Sequence, residues 1–113
     1  MRFLRNYWGL ILLLLLSIFS ILPLFHSGFF PVHDDTQVVR VNQMAKALAD
    51  GQFPVRWVAD LGYGYGYPIF NFYSPLPYYV GGFLNLLGLD ALVATKVMFA
   101  LGIIFAGIFM YLL

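Results

Sequence analysis

The side chains able to do chemistry crowd into one short stretch. Seven of the eleven charged residues lie between Asp34 and Asp60: Asp34, Asp35, Arg40, Lys46, Asp50, Arg56 and Asp60. Asp34 and Asp35 are adjacent carboxylates with His33 beside them. Adjacent residues cannot easily surround one ion, so His33, Asp34 and Asp35 make a weak metal set. Either aspartate can instead cap a helix beginning near Thr36, an interaction worth about 1 kcal/mol. Arg56 stands next to Trp57, a pairing that suits a cation–π contact or an anchor on a lipid phosphate. Farther on, Gly62-Tyr63-Gly64-Tyr65-Gly66-Tyr67-Pro68 alternates flexible glycine with amphipathic tyrosine. It reads as a loop, either part of an aromatic belt at a membrane interface or a pliable wall for a sugar or a lipid head group. Its G-x-G spacing is no dinucleotide fingerprint, because no strand is expected before it and Pro68 interrupts it. The chain has no cysteine, which removes disulfides, thiolate metal sites and cysteine catalysis.

The elements that must position these residues are apolar. Of 113 residues, 62% are hydrophobic and 10% charged. An ordinary soluble domain carries about 25% charged residues. Too few charges remain to coat a water-facing surface, which argues against a soluble monomer and against disorder. The net charge of +1 leaves no basic excess for phosphates, so no nucleic-acid partner is expected.

Three charge-poor tracts flank the charged stretch. Residues 7–25 carry no charge, and Tyr7 and Trp8 stand at one end as interfacial anchors. A span needs about 20 apolar residues. The run exceeds a signal-peptide core of about 7–15 residues, and no Ala-x-Ala-like site follows, so a retained helix is expected. Pro23 should break it as it leaves the bilayer. A second span is expected over about 73–89, with Ser74 as cap and Gly81-Gly82 admitting a close helix neighbour. A third is expected over about 91–113, started by Asp90. Because no polar flank or cap follows that helix, the chain reads as the N-terminal part of a longer polytopic protein. Arg2 and Arg5 favour a cytoplasmic N-terminus at the inner membrane, with residues 26–72 as an extracytoplasmic loop.

Within that loop an amphipathic helix is expected over about 36–50. Val38, Val41, Met44, Ala45 and Leu48 share one face, and Thr36, Arg40, Gln43, Lys46 and Asp50 the other. Such a helix lies along a membrane surface or packs on the tops of spans. On this pattern Arg40 and Lys46 belong to a solvated face. Gly51 should end the helix with a left-handed cap.

Three stretches together carry a family resemblance: His33-Asp34-Asp35-Thr36-Gln37-Val38-Val39-Arg40, Gly51-Gln52-Phe53-Pro54-Val55-Arg56-Trp57, and residues 64–79 from Gly64 through Asn71 to Tyr79. With them the chain resembles the bacterial membrane proteins grouped as 6-pyruvoyl-tetrahydropterin synthase-related, whose layout is similar to the GT-C glycosyltransferases. A pterin synthase activity is not expected, because only His26 and His33 are present and no third zinc ligand lies beside them. The resemblance implies an all-α, polytopic, GT-C-like fold and a polyprenyl-phosphate-linked sugar as partner, alongside membrane lipid. It implies an essential carboxylate in the first extracytoplasmic loop, a place that Asp34 and Asp35 occupy. The implied reaction is inverting glycosyl transfer, in which a carboxylate takes the acceptor's hydroxyl proton as that oxygen attacks the anomeric carbon. Arg40 and Arg56 would hold the departing phosphate with paired hydrogen bonds. Trp57, Tyr65 and Tyr67 would line the sugar. No cofactor is specified. The alternative is a non-catalytic membrane protein, a structural partner or a transporter-like subunit. Against a transporter, no expected span carries a charge near its middle.

Overall fold

The computed structural model of the protein describes residues 2–28 and 36–113. They form four α-helices: α1 (Arg2–Ile21), α2 (Gln37–Ala49), α3 (Leu76–Leu86) and α4 (Ala91–Leu112). Short 3-10 turns cover Leu22–Phe25 and Ile69–Asn71. Among the described residues there is no strand, only an isolated antiparallel bridge between Val58 and Tyr67. The all-helical class expected from the sequence is therefore observed. Two helical stretches, Tyr7–Phe25 and Ala91–Leu112, have the length and apolarity to cross a membrane. Only 11% of the first and 17% of the second is buried within the protein, which is unlike the core helix of a soluble domain.

The tract expected to form a second span behaves differently. Helix α3 has 11 residues and rises about 16 Å. That is roughly half the hydrocarbon thickness of a bilayer. Proline explains the late start, since Pro75 holds the N-cap position and Pro77 sits in the first turn. Gly88 explains the stop. Its φ of +100° lets Leu89 N donate to Leu84 O and Gly88 N to Asn85 O, a Schellman ending. Asp90 then caps α4, its Oδ2 accepting from Leu92 N at 3.0 Å.

The chain divides into two compact units. One holds α1, the Leu22–Phe25 turn and α4 from Phe99 onward. Its two helices meet at small residues. A β-carbon on Gly9 would lie 2.8 Å from the Tyr111 ring, and one on Gly107 would lie 3.0 Å from Leu13. Residue 9 pairs with 111 and residue 13 with 107, so the helices run antiparallel. Apolar helices associate in lipid through such close approaches. Ser17 donates to Leu13 O at 2.9 Å, which satisfies its hydroxyl inside an apolar helix.

The other unit holds α2, α3, the segment between them and the first turns of α4. Its centre is α2. Val41, Met44, Val55, Val58 and Thr95 are the largest side chains fully shielded from solvent. Burying an aliphatic side chain of this size contributes about 1.5–3 kcal/mol. Gly81 and Gly82 let α3 approach α2: added β-carbons would lie 2.8 Å from Val41 Cγ2 and 2.7 Å from Met44 Cγ. Gly51 (φ +81°) ends α2 as expected, with Gln52 N donating to Ala47 O at 2.9 Å.

The amphipathic pattern read for α2 is only half observed. Val41, Met44 and Ala45 are buried, but so are Arg40, Gln43 and Ala47. A helix covered on both its apolar face and part of its polar face is not lying on a surface. Arg40 and Gln43 are buried because tyrosines and an aspartate from elsewhere in the unit supply the partners that water would otherwise provide.

Candidate functional site

The residues that gather around one concavity come from two pieces of chain. Gln43, Lys46 and Ala47 on α2 and its C-cap Asp50 lie at i, i+3, i+4 and i+7 and so share one flank of the helix. The Gly51 turn then brings Gln52 beside them. The segment Trp57–Asp60 supplies the opposite wall, and the cavity measures about 150 Å³.

Three local devices fix that wall. The Val58–Tyr67 bridge, with N–O distances of 3.0 and 2.8 Å, ties it to the end of the glycine–tyrosine loop. Gln52 Oε1 accepts from Arg56 N at 3.1 Å and holds the chain just before Trp57. Gly66 gives the indole its seat, since a β-carbon there would stand 2.4 Å from the Trp57 ring. Trp57 is 49% exposed, so much of its ring stays available.

Asp60 closes the cavity. Its Oδ2 accepts from Gln43 Nε2 at 2.8 Å and from Lys46 Nζ at 2.5 Å. The hydrogen bond from Lys46, then that from Gln43, then the Lys46 charge hold the Asp60 carboxyl below its usual range. A carboxylate held ionised in this way accepts hydrogen bonds well and takes protons poorly. The cavity is lined by the Trp57 indole, the carboxyl side chains of Asp50 and Asp60, the amides of Gln43 and Gln52 and the Lys46 ammonium. That set suits a small hydroxyl-rich ring, with C–H groups against the indole and hydroxyls on the carboxylates and amides.

Among the described residues, those expected to serve chemistry are dispersed. Asp34 and Asp35, with His33, lie outside the described residues. Arg40 is 6% exposed, on a different part of the unit. Its guanidinium stacks 4.1 Å from the centre of the Tyr73 ring. Its Nη1 donates to the Tyr78 hydroxyl at 3.3 Å, and that hydroxyl donates to Gln37 Oε1 at 2.7 Å. Such a setting places Arg40 as a packing group, and its reading as a solvated residue is corrected: the Tyr73 face substitutes for water. Arg56 is exposed, with Nη1 at 3.4 Å from Asn71 Oδ1. Tyr65 and Tyr67 ride the glycine–tyrosine loop, exposed, and neither lines the cavity. Of the expected binding residues, Trp57 alone lines it.

Sequence alone does not mark Gln43, Lys46, Asp50, Gln52 and Asp60 as binding residues. The 43–46–50 spacing was visible there as a polar face, but nothing local announces that Asp60 folds back onto it. Among the described residues no three His, Asp or Glu side chains converge as a metal site. No protein-family model, curated protein or solved structure matches the chain.

Proposed function

We propose that this is an integral membrane protein of the bacterial inner membrane that handles saccharide at the membrane surface, in GT-C-like sugar transfer from a polyprenyl-phosphate donor. The observation that carries the saccharide part is the cavity lined by Trp57 together with Asp50, Asp60, Gln43 and Gln52. The two exposed apolar helices support the membrane part. They run antiparallel, so the chain that joins them leaves and re-enters the bilayer at one face. Arg2 and Arg5 assign the N-terminus to the cytoplasm and residues 26–72 to the other side.

In this reading Asp34 or Asp35 is the base, because the ionised, doubly bonded Asp60 is a poor one. Arg56 is the exposed cation available to a departing phosphate, and the cavity orients a sugar ring. A second reading, a non-catalytic membrane protein, is favoured by one observation: Arg40, the other basic candidate, is engaged in packing.

One preparation separates the two. With Trp8→Phe, tryptophan fluorescence reports Trp57 alone. Saturable quenching or enhancement by monosaccharides, lost in Asp60→Ala, is expected. Membranes carrying the same protein should transfer label from a polyprenyl-phosphate hexose, and Asp34→Asn or Asp35→Asn should abolish that transfer, by the 10²–10⁴-fold or so that a general base contributes. Sugar binding without transfer selects the non-catalytic reading. No fluorescence response to any hexose removes the saccharide assignment.

A further inference from the structure

Helix α3 is built inside out. Leu76, Val80, Phe83 and Leu87 recur at i, i+4, i+7 and i+11, and at about 100° per residue they fall within roughly 60° of one another. All four face outward, at 70%, 38%, 57% and 78% exposure. The opposite side, packed on α2 and α4, carries Tyr78, Gly81, Gly82 and Asn85. That is where the helix keeps its polar atoms: the Tyr78 hydroxyl bonds Gln37, and Asn85 Nδ2 donates to Leu89 O at 2.7 Å. A water-facing helix shows the reverse arrangement.

We infer that α3 lies within the bilayer as a short, non-spanning helix, its Leu76–Val80–Phe83–Leu87 face against lipid acyl chains. The inference rests on the reading of α1 and α4 as spans. Three observations select lipid as the occupant. From Leu61 to Leu89 there is no Asp, Glu, Lys, Arg or His, so this part of the chain gives a partner protein no charge to read. Helix α3 leads through the four residues Leu87–Asp90 into α4, one of the two helices of span length. The residues before it, Tyr63, Tyr65, Tyr67, Phe72 and Tyr73, are exposed aromatics of the kind that settle at head-group level. At about 16 Å, α3 penetrates or lies along one leaflet and cannot cross. At its C-terminal end the backbone carbonyls are satisfied by the Gly88 ending, as residence in hydrocarbon requires.

The cysteine-free chain allows a direct test. The full protein carries single spin labels at Leu76→Cys, Val80→Cys, Phe83→Cys or Leu87→Cys, in nanodiscs of phosphatidylcholine and phosphatidylglycerol. Collision rates are measured with oxygen, which concentrates in lipid, and with a water-soluble nickel chelate. Leu15→Cys on α1 and Gln52→Cys serve as lipid and water references. The α3 labels should show the oxygen-to-nickel ratio of Leu15→Cys. A ratio like that of Gln52→Cys, with Leu15→Cys still lipid-like, overturns the inference and leaves the spans standing. Low collision with both reagents overturns it in favour of a protein partner. A water-like ratio at Leu15→Cys itself removes the spans and the inference together.

Discussion

Helix α2 carries two charges and α3 none, yet α2 is the more buried of the two. On α2 the apolar residues Val41, Met44 and Ala45 point into the unit, and Arg40 and Gln43 are drawn in with them. On α3 glycine and hydrogen-bonded polar atoms point in while leucine, valine and phenylalanine point out. A helix's charge content therefore does not tell which solvent it meets. The arrangement around the axis, taken with what its neighbour offers, does. Val41 and Met44 fill the hollows left by Gly81 and Gly82, which frees the large side chains of α3 for an outer surface.

The sharpest way to break this comparison is to truncate one apolar side chain on each helix. Met44→Ala on α2 should cost about 2–5 kcal/mol in unfolding free energy, the range for buried aliphatic truncations. Phe83→Ala on α3, although it removes a larger side chain, should stay within about 0.5 kcal/mol in detergent, as exposed substitutions do. Denaturant titration of both proteins decides the matter, and equal losses would erase the distinction between the helices.

A smaller effect probes the inner face of α3 from the other direction. Gly82→Leu adds atoms where Met44 Cγ already stands 2.7 Å from the position of a β-carbon. Overpacking of this kind costs about 1–3 kcal/mol. Val80→Leu, two residues away on the outer face, should leave the melting temperature unchanged.

The smallest expected effect lies at the cavity. The Asp60 carboxyl is held below its ordinary value by Lys46 and Gln43. The stabilisation it gives is thus fully present above the ordinary carboxylate pKa and fades as pH falls through the lowered folded-state value. Lys46→Met should return the Asp60 titration toward its ordinary value, and the acid limb of a pH–stability curve should shift with it. An NMR titration of the Asp60 side chain follows this directly. Because the pair is exposed, stability at neutral pH should hardly change.

These contrasts show what the sequence made legible. Apolar runs of 19 and 22 residues, the first without charge and the second with Lys96 alone, announce the two helices of span length, since length and apolarity are local properties. Gly51, Gly88 and Asp90 announce helix ends because caps are local as well. The burial of Arg40 was not legible: it depends on Tyr73 and Tyr78, more than 30 residues away. Nor was the cavity, whose closing contact joins Lys46 to Asp60 across a loop. For α3, apolar composition resembles that of a span, and only its prolines and Gly88 mark it as too short. Trp57 was legible because an aromatic beside a cation in a turn-rich segment draws attention on its own.

The central claim, that α2 is the core partner of an inside-out α3, is tested most directly by cross-linking the two helices in the membrane. A β-carbon at position 81 would stand 2.8 Å from Val41 Cγ2, which brings the two β-carbons within the roughly 3.5–4.5 Å that a disulfide requires. In this cysteine-free chain, the pair Val41→Cys and Gly81→Cys should close to a disulfide on mild oxidation of intact membranes, while Val41→Cys with Phe83→Cys stays reduced. Failure of the first pair to close, or equal closure of both, would contradict the account.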